Sequence, residues 1–191
     1  MSNGTFSGNP RTEWLSDKGD DRDMRVLEPF WYIDPAGRRW DVSPGTVING
    51  ASIPRTLWSS VGSPYTGDYR RAALVHDAAV AGKEGVVRPE ADTMFYFACL
   101  CGGCSLLQAK LLYAGVRLGA WASEHRVLAM DAAAMPPDAT RLPGQQTARE
   151  LELRARYTLI AHQLMASSDN FADIEEVVNR NLGEPQRPTL P

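Results

Sequence analysis

The chain has 191 residues, 43% hydrophobic and 23% charged, with a formal net charge of -3. That composition suits a globular domain with a core and an appendage. The slightly acidic balance excludes the electrostatic footprint of a nucleic-acid binder, and no apolar run in the sequence reaches the ~18 residues of a membrane span.

The stretch MSNGTFSGNPRTEW has no basic segment followed by an apolar one, so it does not read as a secretion signal. The three cysteines, Cys99, Cys101 and Cys104, fall within six positions. An odd, clustered set is not a disulfide framework, and reduced thiols in a reducing, cytoplasmic compartment are the expectation.

Residues 1–24 are polar and carry the charge run DKGDDRD, which predicts a flexible start with one short strand. RVLEPFWYID and RRWDV flank Asp34-Pro35-Ala36-Gly37, a hairpin signal, and Thr46-Val47-Ile48 follows the Pro44-Gly45 turn as a third strand. Asn49-Gly50 ends that strand. A short helix then begins at Ala51-Ser52-Ile53-Pro54, with Ser52 as its cap.

Asp68 is placed to cap a helix over 69–81, whose face carries Tyr69, Ala72, Ala73, His76 and Val80. Pro89 opens another helix, running to about Cys101, with Glu90 and Asp92 in its first turn. Gly102-Gly103 breaks it. A third helix spans 105–121, where Gly115 and Gly119 would let another element approach closely. Residues 131–146 contain Pro136-Pro137 and Pro143-Gly144 and read as linker. Two helices follow over 147–166 and 170–182, with Leu153, Tyr157, Ile160 and Leu164 on one face and Phe171, Ile174, Val178 and Leu182 on the other.

The predicted fold is therefore α+β. A small N-terminal antiparallel sheet packs on a three-helix core, and a helical hairpin closes the chain. The divisions are a flexible 1–24, a core domain over 25–125, a linker over 126–146, the hairpin over 147–182 and a disordered tail over 183–191. The apolar faces of the hairpin suit either wrapping the core or a homo-oligomer contact.

Chemistry concentrates in DYRRAALVHDAAV and the segment after it. His76 is one of three histidines, Asp77 follows at once, and Asp92 comes sixteen positions later. If the two helices pack antiparallel, both side chains sit roughly 5–7 Å from the turn, level across a pair about 8–10 Å apart. A carboxylate bonded to one imidazole nitrogen fixes the tautomer and frees the other as a general base. A core histidine bonded to a buried carboxylate fits the same spacing, as does a metal site. Asp77, ~100° further round, points elsewhere and can bind a metal, receive a basic side chain or cap a neighbour. Arg70 and Arg71 can hold an anionic substrate group or pair with nearby aspartates, and Trp58, Tyr65 and Tyr69 can line a pocket or the core. Cys101-Gly102-Gly103-Cys104 is a C-x-x-C. At a helix end and a Gly-Gly turn it reads as packed small residues rather than a redox pair or half a zinc site.

INGASIPRTLWSSVGSPYTGDYRRAALVHDAAV, then ADTMFYFAC, then LLYAGVRLGAWA resembles the phage and prophage family catalogued as domain of unknown function 1353, over roughly 25–122. The resemblance implies a fold core, a phage or prophage setting, and Ser52, Pro54, Arg55, Trp58, Tyr69, Arg70, His76 and Asp77 as the positions of interest. Asn49 stands where that family usually has Asp, so the charge is missing there. The H-D pair on one helix facing an Asp on a second is also similar to secretory phospholipases with a helical His-Asp dyad. Their disulfides and glycine-rich calcium loop are missing here.

The expected activity is a phage-encoded hydrolase. His76 is the base, Asp92 its orienting carboxylate and Asp77 its neighbour. Arg55, Arg70, Ser52, Asn49 and Tyr69 form the substrate side. The alternative is a non-enzymatic phage accessory or virion-associated protein whose H-D motif is structural. No cofactor is predicted, although the acidic residues admit a divalent metal. The substrate is a small molecule or a cell-envelope component, and attachment to a virion or export as an effector stays open.

Overall fold

The computed structural model describes residues 2–15, 23–48, 53–57, 59, 67–81, 87–130 and 147–184, without the side chains of Arg55 and of 126–130. Asn49, Ser52, Trp58, Tyr65 and the assigned linker from 131 onward lie outside the described residues, as does the tail from 185.

Among the described residues the N-terminal part forms two small antiparallel sheets rather than one. Strands β1 (Thr5–Phe6), β4 (Phe30–Ile33) and β5 (Arg39–Val42) lie in the order β1-β4-β5, while β2 (Thr12–Trp14), β3 (Met24–Val26) and β6 (Val47–Ile48) lie in the order β2-β3-β6. The predicted hairpin is β4–β5, with Tyr32 opposite Trp40 and Ile33 opposite Arg39. Asp34 explains the sharpness of its turn. One carboxylate oxygen accepts from Ala36 N at 3.0 Å and Arg38 N at 2.9 Å, and the other accepts from Trp40 Nε1 at 2.9 Å. Gly37, at φ 83°, supplies the left-handed residue the turn requires. The third predicted strand exists, but β6 pairs with β3 and belongs to the other sheet.

Period-two alternation decides what faces inward. Phe30, Tyr32, Trp40, Val42 and Ile48 are buried, and their strand neighbours are exposed or half-buried. Helix α1 (Arg70–Val80) packs against β5 and β6 on one side and α2 (Arg88–Gly102) on the other. Seven of its eleven residues are buried, so α1 is the centre of the domain rather than a surface helix. Asp68 does not cap it. Tyr69 holds the cap position and no side chain bonds the first turn. The carbonyl of Asp68 lies where a Cβ on Gly102 would stand, 2.3 Å away, so the end of α2 presses on the start of α1.

Helix α3 (Leu106–Met130) runs past the expected Trp121 and five residues into the stretch assigned as linker. Gly115 admits Ile53, whose side-chain carbons lie 3.3 Å from where a Cβ would be. The C-terminal hairpin is α4 (Ala148–Ala166) and α5 (Phe171–Leu182), and both helices pack on α3. Thr147 and Glu150 form a capping box that starts α4, and Asn170 caps α5. The Lys110 ammonium, nearly buried, donates to the carbonyls of Ser167 at 3.2 Å and Ser168 at 3.0 Å and pairs with Asp169 at 3.1 Å. That places a cation at the C-terminal end of α4, where free carbonyls gather.

Tyrosines report how dry this core is. Burial, then the Cys99 and Cys104 thiols, pushes Tyr69 up from the ordinary 10.0 to about 12. Burial, then Asp169, takes Tyr96 to about 12 as well. Burial also raises Tyr32, with Cys101 and Asp34 adding to it, and raises Tyr157. Between about 10 and 12 the folded chain therefore holds more protons than the unfolded one, so stability is intact below that window and falls as pH rises through it. The expected outcome in an alkaline titration is a delayed rise of tyrosinate absorbance that coincides with loss of far-UV circular dichroism. Ordinary phenol titration with the helices intact would contradict this packing.

Candidate functional site

The site is built around a carboxylate in the interior. Asp92 sits one turn inside α2, beyond the first-turn Glu90, and is 0% exposed. His76, on the facing side of α1, is also 0% exposed, and its Nε2 lies 2.7 Å from Asp92 Oδ1. That is the distance of a charge-assisted hydrogen bond. With Asp92 accepting at Nε2, a neutral ring carries its proton there and its lone pair on Nδ1. Nδ1 has no hydrogen-bond partner among the described residues. The closest carboxylate oxygen to it is Oδ1 of Asp77 at 4.0 Å, too long for a bond. The ring of Phe95 covers His76, with centroids 5.0 Å apart.

Two arginines complete the cluster. Arg88 Nε is 3.5 Å from Asp92 Oδ1 across one turn of α2, and Arg117 of α3 places a guanidinium nitrogen 3.5 Å from Oδ2. Arg117 also donates to Asn179 Oδ1 at 3.1 Å and pairs closely with Glu184. The chain thus runs His76–Asp92–Arg117–Glu184, linking α1, α2, α3 and the end of α5. Burial lowers the Arg117 pKa, but Tyr113, Glu184 and Asp92 outweigh it and leave the guanidinium above its ordinary range. Burial raises the Glu184 carboxyl above its usual range against the opposing pull of Arg117. The two partners weigh their shared contact differently because Arg117 faces two carboxylates while Glu184 faces one cation.

Neither arginine was foreseen as part of the site. A signal existed in each case. Arg88 stands four residues before Asp92 on a helix, and Arg117 is a charge beside the apolar positions Ala114 and Leu118. The residues expected on the substrate side are less well gathered. Arg70 is exposed and lines a cavity of about 310 Å3 with Leu74, Arg11 and Leu27, which His76 does not line. Tyr69 is buried beside the thiols of Cys99 and Cys104. Arg55 opens the 3₁₀ turn Arg55–Leu57, and Asn49 and Ser52 lie outside the described residues. A further cavity of about 480 Å3 lies between the β4–β5 hairpin and α2, lined by Trp40, Met94 and Phe97 with Arg38 and Glu90 paired at its edge. Neither cavity reaches His76 or Asp92. Among the described residues no group of three or more His, Cys, Asp or Glu side chains is placed to hold a metal ion. Likewise no helix there is long and apolar enough to cross a membrane.

Comparison with known proteins places the same segment in context. Residues 24–116 match the family described as "Protein of unknown function (DUF1353)". Two proteins of Sinorhizobium fredii are similar. "Uncharacterized protein y4jT" is 34% identical over 111 residues, which is 58% of this chain and 32% of the relative. "Uncharacterized protein y4iH" is 35% identical over 98 residues, 51% of this chain and 41% of the relative. The match therefore spans less than half the length of either relative. No solved structure gives a significant match.

The charge cluster makes a stability prediction. Replacing Asp92 by Asn leaves Arg88 and Arg117 without their shared carboxylate in a buried place, and is expected to cost about 3–5 kcal/mol. Glu184→Gln is expected to cost less, because burial already disfavours that carboxylate. Urea unfolding at neutral pH measures both. An Asp92→Asn variant within about 0.5 kcal/mol of wild type would remove Asp92 from the centre of the fold.

Proposed function

We propose that the chain is a hydrolase in which His76 activates water. One observation carries the reading. Nε2 of His76 is fixed by Asp92 at 2.7 Å, while Nδ1 has no partner among the described residues. A neutral imidazole held this way is a base with its lone pair unoccupied. In the step proposed, Nδ1 takes a proton from water, and the water oxygen bonds the carbonyl carbon or phosphorus of the substrate. The bond to the leaving oxygen breaks, and the imidazolium returns the proton to it. Asp92 steadies the imidazolium meanwhile, as the carboxylate of a catalytic triad does.

Anion recognition in this reading falls to Arg88. Its Nε and one terminal nitrogen are buried without a hydrogen-bond partner, at the side of Asp92. A phosphodiester or the carbonyl oxygen of an ester is the group such donors would receive. The phage or prophage setting, and a cell-envelope substrate, rest on the sequence resemblance and belong to the same proposal.

A second reading is favoured by the zero exposure of His76 and Asp92. Here the pair is structural, in a non-enzymatic accessory or virion-associated protein, and its bonds serve only to satisfy buried polar groups. The test combines turnover with stability. Wild type and His76→Ala are assayed on chromogenic carboxylic esters, phosphodiesters and purified cell wall, and their melting temperatures are measured. Wild-type turnover that falls ~100-fold or more in the variant, with the fold retained, is the expected result. No turnover by wild type, together with a loss of roughly 1–3 kcal/mol in the variant, overturns the hydrolase reading in favour of the structural one.

A further inference from the structure

Helix α2 serves two faces. Asp92 bonds His76 on the side of α1. Glu90, Thr93, Met94 and Phe97 recur at helical spacing on another stripe, and all four line the cavity of about 480 Å3 beside the β4–β5 hairpin. Asp92 stands two residues after Glu90, ~200° round the helix. The cavity and the buried charge cluster therefore share an element but no side chain. On the opposite wall the hairpin supplies Pro35, Ala36 and Trp40.

Most polar atoms on these walls are already spent. Trp40 Nε1 donates to one oxygen of Asp34, and the other oxygen accepts from two backbone amides. Thr93 Oγ1 donates to the carbonyl of Pro89 at 2.9 Å. A charged rim is left. Arg38 Nη1 donates to Glu90 Oε2 at 2.7 Å, and the same guanidinium lies 4.0 Å from the centroid of the Trp40 ring. Glu90 Oε1 has no partner among the described residues.

Charge decides what such a cavity takes. Two carboxylates, Asp34 and Glu90, and one guanidinium, Arg38, stand around it, so its lining carries an excess of negative charge. The faces of aromatic rings are negative as well. Arg38 shows which head group the rim accepts: a planar cation with its face on an indole and its edge on a carboxylate. An anion would meet Glu90 and Asp34 at the same rim. The volume falls within the ~300–1,000 Å3 of sites for small organic molecules, and the apolar walls suit an apolar body. We propose that the cavity between the β4–β5 hairpin and α2 binds an organic monocation, an amidinium or guanidinium carried on an aromatic body. The head bonds Glu90 Oε1 beside Arg38, and the body lies against Trp40, Met94 and Phe97. This site is separate from the His76–Asp92 pair and stands whatever that pair does.

The experiment titrates the full chain with 2-naphthamidine by isothermal calorimetry. 2-Naphthamide and 2-naphthoate serve as neutral and anionic molecules of nearly the same shape. Saturable binding of the cation with a Kd below about 1 mM is expected, with either isostere weaker by about threefold or more. Glu90→Gln is expected to weaken the cation by about threefold or more, and Arg38→Met, which removes the competing internal cation, to tighten it. A general loss of packing does not move two variants in opposite directions. The Arg38 and Glu90 side chains are 44% and 43% exposed, so both changes leave the core intact. Thr93→Phe fills the cavity from α2 and is expected to abolish binding with far-UV circular dichroism unchanged. Absence of saturable binding by wild type, equal or tighter binding of either isostere, a wild-type Kd in Glu90→Gln, weaker binding in Arg38→Met or undiminished binding in Thr93→Phe would each overturn the proposal.

Discussion

A carboxylate with no exposure has to be neutralised from within the fold, and Asp92 sets that requirement for this protein. Transfer of an ionised carboxylate into an apolar interior is far more costly than any single side-chain contact can offset. Three cations or donors converge on it: His76 from α1, Arg88 from its own helix and Arg117 from α3. Each therefore fixes where its helix may lie. His76 sets how α1 is rotated against α2, and Arg117 sets the depth of α3. The apolar contacts around them supply most of the favourable free energy, but such contacts are nondirectional. The bonds to Asp92 are what make one arrangement of the three helices distinct from its neighbours, a role proposed for other buried polar groups as well.

The C-terminal hairpin enters through the same logic. Arg117 is itself buried, and Asn179 and Glu184 supply its other acceptors. Lys110, also on α3, is satisfied by the carbonyls that end α4. Two cations on one buried helix face thus find their partners on α4 and α5, so the hairpin completes the core instead of hanging from it. Of the two roles that its apolar faces allowed, wrapping the core is the one seen here, with Leu153, Tyr157, Ile160, Leu164, Ile174 and Val178 all buried.

Much of this was legible wherever a single local rule governs. The Asp34-Pro35-Ala36-Gly37 turn, the strand alternation, Pro89 at a helix start, Gly102-Gly103 at its end and the starts of the last two helices near 147 and 170 all depend on residues close in sequence. The level placement of His76 and Asp92 followed from helix rise alone. What stayed hidden depends on packing between distant segments. The split into two sheets is set by which strand β6 meets, and both candidates have the same alternation. Asp68 has the right residue type for a cap, yet the end of α2 occupies its neighbourhood. Free cysteines at a Gly-Gly turn, two of them buried, fit the expectation, but the C-x-x-C spacing pairs Cys101 with Cys104, whereas the turn bonds Cys104 N to the carbonyl of Cys99.

The extent of the family match bears on what the site needs. Residues 24–116 include His76, Asp77, Arg88 and Asp92, so the carboxylate and its histidine belong to the matched segment. Arg117 is the next residue after it, and the groups that hold Arg117, Asn179 and Glu184, lie more than sixty residues further on. The buried charge at the centre of the matched segment is therefore balanced in part by residues outside it. Asp92 is ion-paired with Arg117 at 3.5 Å, and a second carboxylate and an amide face Arg117 at that depth. In this chain the C-terminal hairpin and the central pair form one electrostatic unit. Glu184 and His76 are the two ends of one chain of two ion pairs and one hydrogen bond.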